Sequence, residues 1–139
     1  MITFNYECDF KLENESAYSA WIEKLIASEN LNVGTINYIF CGDEYLHQIN
    51  VQYLDHDTLT DIISFDYREG DSISGDMFIS IERVRDNASD YEVLFMDELR
   101  RVMAHGVLHY CGYKDKTDRD EMIMREKENE KMSMFHVEQ

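Results

Sequence analysis

Of the 139 residues, 29 are Asp or Glu and 13 are Lys or Arg, a net charge of −16, with 44% hydrophobic residues, three cysteines and no proline. A chain of this length buries about 68% of the surface its unfolded form exposes, so one domain over 1–139 can fold without a disulfide or a metal. Apolar residues spread from end to end exclude a disordered acidic protein, and the charge disfavours broad attraction to a polyanion. DNA is not an expected partner, and any RNA would have to be gripped at a local site.

The opening Met1-Ile-Thr-Phe-Asn-Tyr-Glu-Cys-Asp9 has no basic start leading into an apolar run. Nowhere do about 18 apolar residues follow one another, so no membrane span and a cytoplasmic location are expected. Cys8, Cys41 and Cys111 lie far apart with no CxxC pair, which reads as reduced, mostly buried thiols.

Ile2, Phe4 and Tyr6 alternate with polar residues and predict a half-buried strand. Ser16 is placed to cap a helix in which Tyr18, Trp21, Ile22, Leu25 and Ile26 recur at helical spacing, ending near Asn30. Gly34 reads as punctuation before Val33 to Phe40, a strand apolar on both faces and therefore central. Gly42-Asp-Glu44 opens a second helix through Leu46, Ile49 and Tyr53, its acidic pair favourable at the positive end. Asp55 to Asp61 reads as a polar loop. Ile62 to Phe65 and Gly75 to Ile81 predict two strands that pair as a hairpin around a turn at Gly70 to Ser74. Three helical segments follow: one through Val84 and Ala88, a stronger one from Asp97 to about Cys111, and a charged one from Thr117 to about Met134. The order predicts an α+β domain, a small mixed four-stranded sheet packed with helices.

The chemistry concentrates in His105-Gly-Val-Leu-His109-Tyr-Cys-Gly112-Tyr-Lys-Asp115. His105 and His109, four apart on a helix, project from one face and can share a cation. Gly112 stands where a left-handed turn would end the helix and bring Asp115 back toward both rings. Two imidazoles and a carboxylate suit Zn²⁺ and leave a further position open, as in a catalytic site. Ni²⁺ or another divalent ion would suit the same donors. The spacing also matches HExxHxxGxxH, but Gly106 stands where that peptidase pattern carries its glutamate base, so it supports a metal more than proteolysis.

The segment HGxLHxxGYxx, preceded by Asn50-Val-Gln-Tyr53, Thr60-Asp-Ile-Ile-Ser-Phe65 and Gly75-Asp76, resembles the YbeY family of endoribonucleases, which mature ribosomal RNA in bacteria. The resemblance runs from about Asn32 to Glu126. It implies an α+β fold with a metal held by three residues of HGxLHxxGYDH. His105 and His109 match the first two ligands, and Asp115 replaces the third histidine, lowering the charge of the site. Where many members carry an arginine after the tyrosine matching Tyr53, this chain has Leu54.

By the same resemblance Asp61 and Ser64 border the cleft. Asp61 could act as a general base or hold a water, and Ser64 could donate to a phosphate oxygen; each equally suits a local turn or backbone hydrogen bond. Gly75 and Asp76 read as turn residues, and His47, His56 and His136 as surface residues. Leu99, Val102, Met103, Val107 and Leu108 form the side that packs the metal helix on the sheet, and the last helix reads as a solvated cover for the site.

The expected activity is metal-dependent cleavage of single-stranded RNA in ribosomal RNA maturation, at the 16S 3′ end, and in ribosome quality control. Its catalytic residues would be Asp61 and Ser64, with Zn²⁺ on His105, His109 and Asp115. Ribosomal proteins are possible partners. Such an RNA would need Arg68, Arg83, Arg85, Arg100 and Arg101 to gather beside the cleft, and could stack on Tyr67 or Tyr113. The rival readings are a non-enzymatic ribosome-associated binding module with a structural metal, and hydrolysis of a small molecule or peptide.

Overall fold

The alternation of Ile2, Phe4 and Tyr6 does form a strand, β1 (Ile2–Tyr6), in the computed structural model, which describes residues 1–54 and 60–135, the side chain of Leu54 excepted. Then come α1 (Glu15–Ser28), β2 (Asn32–Cys41), α2 (Asp43–Leu54), β3 (Ile62–Asp66), β4 (Ser72–Ser80), α3 (Ile81–Asp90), α4 (Phe95–Tyr110) and α5 (Asp118–Met132). Most of the predicted loop before Asp61, and with it His56, lies outside the described residues, as does His136.

The sheet order is β1-β2-β4-β3. β2 pairs in parallel with both β1 and β4, and β3 closes the edge antiparallel to β4, so the sheet is mixed and the strand with two apolar faces is internal. Register places Phe4 opposite Tyr38 and Tyr6 opposite Phe40. Their rings stack with centroids 5.7 and 5.6 Å apart, an aromatic ladder across the parallel pair. On one face α1 and α4 bury Trp21, Leu25, Leu99, Met103 and Val107 against Ile36, Tyr38 and Met77. On the other, Leu46 and Ile49 of α2 cover Cys41 and Ile63.

Several local expectations are corrected. The N-cap of α1 is Asn14, whose carbonyl accepts from Ala17 N (2.9 Å), so Ser16 lies inside the first turn and is not the cap. Gly34 lies within β2, at a register shift between Val33 and Ile36, because a Cβ there would stand 2.7 Å from Ser72 Oγ and collide with Ser74 Oγ. The β3–β4 turn is shorter than expected: Ser72 to Asp76 belong to β4, so Gly75 and Asp76 are strand residues. The glycine is required there because a Cβ would lie 2.5 Å from both the Tyr110 hydroxyl and the Phe65 carbonyl oxygen. That close approach leaves the Tyr110 hydroxyl 3.0 Å from the carbonyl oxygens of Phe65 and Asp76.

Helix α4 is thereby fixed at both its middle and its end. Tyr38 donates its hydroxyl to the Met103 carbonyl (3.2 Å), and Arg68 donates to the Tyr110 carbonyl (3.0 Å). Gly106 faces the sheet, where a Cβ would collide with Met77 Sδ. A peptidase-type glutamate at this position would point into the core, and the two histidines project away from it. The cysteines are free thiols; burial pushes Cys41 up to about 12 and Cys111 up to about 11, which keeps them protonated at neutral pH.

Candidate metal centre

Helix α4 ends as Gly112 requires. The residue has φ +109°, Gly112 N donates to the His109 carbonyl (3.0 Å) and Tyr113 N to the Leu108 carbonyl (3.0 Å), the paired bonds of a Schellman turn. The chain then doubles back and presents Asp115 before Thr117, whose hydroxyl accepts from Asp120 N (3.0 Å), starts α5. Asp115 is thus held between two capped helix ends.

Three donor atoms converge. His105 Nε2 and His109 Nε2 are 3.0 Å apart, and Asp115 Oδ2 is 3.3 Å from the first and 3.2 Å from the second. The opposite ring nitrogens show which atoms carry protons. His109 Nδ1 faces the Tyr113 carbonyl (3.0 Å), which can only accept, so Nδ1 donates. His105 Nδ1 lies 2.7 Å from Glu128 Oε2. Burial alone would raise the Glu128 pKa, but the His105 hydrogen bond and the Arg101 charge hold it below the ordinary value, so this carboxylate accepts as well.

In the neutral rings both Nε2 atoms therefore present lone pairs to each other and to a carboxylate oxygen, an arrangement that repels itself without a cation. Ligands at about 2.0–2.2 Å from one ion stand roughly 3.3–3.6 Å apart in a tetrahedron and roughly 2.8–3.1 Å apart on an octahedral face, and the observed edges span the two. The three residues fit a divalent metal, and among the described residues they are the one group of this kind.

The ring of supports reaches further. Glu128 is only 2% exposed on α5 and also receives Arg101 (3.3 Å), itself bonded to Glu98 at 2.9 Å. Tyr113, whose carbonyl orients His109, donates its hydroxyl to Glu29 Oε1 (2.6 Å) at the end of α1. Glu29 is in turn paired with the buried Lys131 of α5 (2.8 Å). Such outer partners fix ring orientation and ligand basicity. Neither Glu128 nor Glu29 was singled out from the sequence. α5 covers the site as expected, but it is not merely solvated, because Met124, Glu128 and Lys131 form a buried stripe.

A cleft of about 550 Å³ opens beside His105 and Asp115, walled by α5. Asp61 adjoins a smaller cavity of about 190 Å³ shared with Arg101 and His105. Burial raises the Asp61 pKa above the ordinary carboxylate value, against the opposing pull of Arg101. Ser64 is exposed on β3, beside the Tyr110 hydroxyl.

The five arginines expected together are dispersed. Arg101 alone lines the metal cleft; Arg83 pairs with Asp43 (2.9 Å), Arg68 binds backbone carbonyls, and Arg85 and Arg100 stack on aromatic rings elsewhere. Arg125, not anticipated, joins Arg101 in the cleft. Of the two aromatics proposed for stacking, Tyr67 is exposed, while Tyr113 is held by Glu29 and faced by Lys127. His47 is half-buried in α2.

A family profile described as Endoribonuclease YbeY matches residues 3–136. A Flavobacterium johnsoniae protein named Endoribonuclease YbeY is 66% identical over 139 residues, covering 100% of both chains. One of the same name from Bacteroides thetaiotaomicron is 48% identical over 114 residues, 82% of this chain and 83% of its own. A solved Thermotoga maritima protein superimposes with a TM-score of 0.66 at 22% identity, covering 97% of this chain and 89% of that one, and supports the fold. The signature on α4, the turn at Gly112 and the match across nearly the whole sequence lead to one conclusion: this chain belongs to the YbeY family of endoribonucleases.

Proposed function

We propose that the chain acts as a single catalytic domain that hydrolyses phosphodiester bonds of single-stranded ribosomal RNA, in maturation of the 16S 3′ end and in ribosome quality control. The observation that carries this reading is the convergence of His105 Nε2, His109 Nε2 and Asp115 Oδ2 within 3.0–3.3 Å, with both imidazoles oriented from behind. These residues would hold Zn²⁺, with Ni²⁺ an alternative. When bound, such an ion supplies Lewis acidity toward water or a phosphoryl oxygen.

The chain's own residues do the rest. Glu128 and the Tyr113 carbonyl hold each imidazole in the tautomer whose Nε2 faces the shared position. Asp61, beside His105 and with its pKa raised by burial, is the proposed general base. Ser64 is proposed to donate to a phosphate oxygen. Arg125, more exposed than Arg101, is placed to meet an incoming phosphate. The family supports an RNA substrate, and ribosomal proteins are proposed partners at the ribosome. Among the described residues no helix is long and apolar enough to cross a membrane, which accords with a proposed cytoplasmic location.

The test pairs metal stoichiometry by elemental analysis with single-turnover cleavage of ribosomal RNA fragments, for the wild type and His105→Ala. One equivalent of metal and cleavage, both lost in His105→Ala, is the expected result. Metal without metal-dependent cleavage would overturn the nuclease reading in favour of a binding module.

A further inference from the structure

A second cavity, of about 440 Å³, lies at the other end of α4, between its first turns, the segment leading into α1, and Arg85 of α3. Its walls include Lys11, Tyr18, Arg85, Phe95, Arg100 and Phe135. The volume falls in the range of about 300–1,000 Å³ usual for small-ligand sites. Two of the cations are stacked: the Arg100 guanidinium lies 4.3 Å from the Phe135 ring centre and 5.9 Å from that of Tyr18, and Arg85 lies 5.3 Å from that of Phe95.

The charge here is unlike the rest of this acidic chain. Lys11 and Arg85 have no carboxylate within ion-pair distance among the described residues. Arg100 reaches Asp97 at 3.3 Å, yet its Nε is buried without a partner. Glu13 is the one carboxylate on the wall. Three cations set among aromatic rings suit a phosphate joined to a flat base: the cations meet the phosphate, and the rings and stacked guanidinium planes meet the base. An acidic peptide would use the charges but leave the rings without a role.

We propose that this cavity is a nucleotide-binding site that anchors RNA at a distance from the metal centre; the proposal rests on RNA being the substrate. Arg100 and His105 are five residues apart on one helix, about 140° around its axis, and Phe95 is roughly 15 Å along it from His105. One nucleotide cannot touch both sites. The cavity therefore adds affinity for RNA long enough to reach from one site to the other, and adds nothing to the cleavage of a dinucleotide held at the metal centre.

The test measures cleavage of a dinucleotide, and binding of a labelled single-stranded RNA of about 20 nucleotides and of a labelled polyglutamate peptide by fluorescence anisotropy. The proteins compared are the full chain, Lys11→Ala/Arg85→Ala and Phe135→Leu, with metal content and Tm recorded for each. The double variant is expected to bind the long RNA about tenfold more weakly, with dinucleotide cleavage, metal content and Tm as in wild type. Phe135→Leu is expected to weaken the long RNA and not the peptide. Unchanged affinity for the long RNA in the double variant overturns the proposal. So does a loss of RNA and peptide binding in equal measure with Phe135→Leu silent, which would make the cavity a site for an acidic protein segment. If the variants bind as expected but the wild type cleaves no RNA, the nuclease reading fails and the cavity stands as an RNA-binding site alone.

Discussion

The last two turns of α4 and its first two turns sit in opposite electrostatic surroundings. At the metal end, Arg101 and Arg125 share the cleft with Asp115, Asp118, Glu121 and Glu128, and Arg101 is already tied to Glu98 and Glu128. At the other end, Lys11, Arg85 and Arg100 face a single wall carboxylate. The first region carries more negative than positive charge and would be completed by a cation; the second holds positive charge that a ligand anion would complete. A net charge of −16 describes neither, because long side chains from separate elements set the local field and salt screens the rest within about 10 Å.

The sharpest way to break this contrast is to remove a ligand at the metal end. His109→Ala should reduce bound metal from about one equivalent to almost none in a protein that remains folded, as read by elemental analysis and circular dichroism. Retained metal would show that the three donors are not its site. Glu128→Gln keeps a hydrogen-bond acceptor for His105 but removes the charge behind it. It should weaken metal affinity by about 10–100-fold in a chelator competition, and an unchanged affinity would reduce Glu128 to a partner for Arg101.

At the basic end the contrast appears as salt dependence. Three cations releasing counterions from a single strand give a slope of log K against log salt near −2, or roughly 15-fold weaker RNA binding for a fourfold rise in salt. A flat response would leave that end without an electrostatic role.

Acid titration probes a smaller effect, outside the ligand set. Burial alone would raise the pKa of both Asp43 and Glu29, but Ser80 and Arg83 hold the first below the ordinary value, and Lys131 and Tyr113 the second. Their folded values lie below the unfolded ones, so they add stability above the ordinary carboxylate pKa, and it is lost as pH falls through the folded values. The urea midpoint should therefore drop below about pH 4.5, and Asp43→Asn should shrink that drop. Last, Asp115→His should leave metal content unchanged, since an imidazole replaces one donor with another; a metal-free variant would show that an imidazole at position 115 cannot take the carboxylate's place, against the alignment across Gly112.

The sequence by itself determined the parts of this protein that depend on neighbours in the chain. Helical spacing put His105 and His109 on one face, and Gly112 announced the positive φ that turns Asp115 back. The alternation around Ile36, Tyr38 and Phe40 marked an internal strand. Each is a property of backbone geometry over a few residues. Tertiary structure alone decided what depends on packing: that Glu128, 23 residues beyond His105, lies behind its ring, and that Glu29 grips Tyr113 across 84 positions. It also separated the arginines, sending Arg101 to the cleft beside His105 and Arg85 and Arg100 to aromatic rings. The buried stripe of Met124, Glu128 and Lys131 was visible as a spacing, but two of its members are charged, and a charge reads as surface until its partner is known. Those partners come from other elements, so their positions follow from how the helices pack on the sheet.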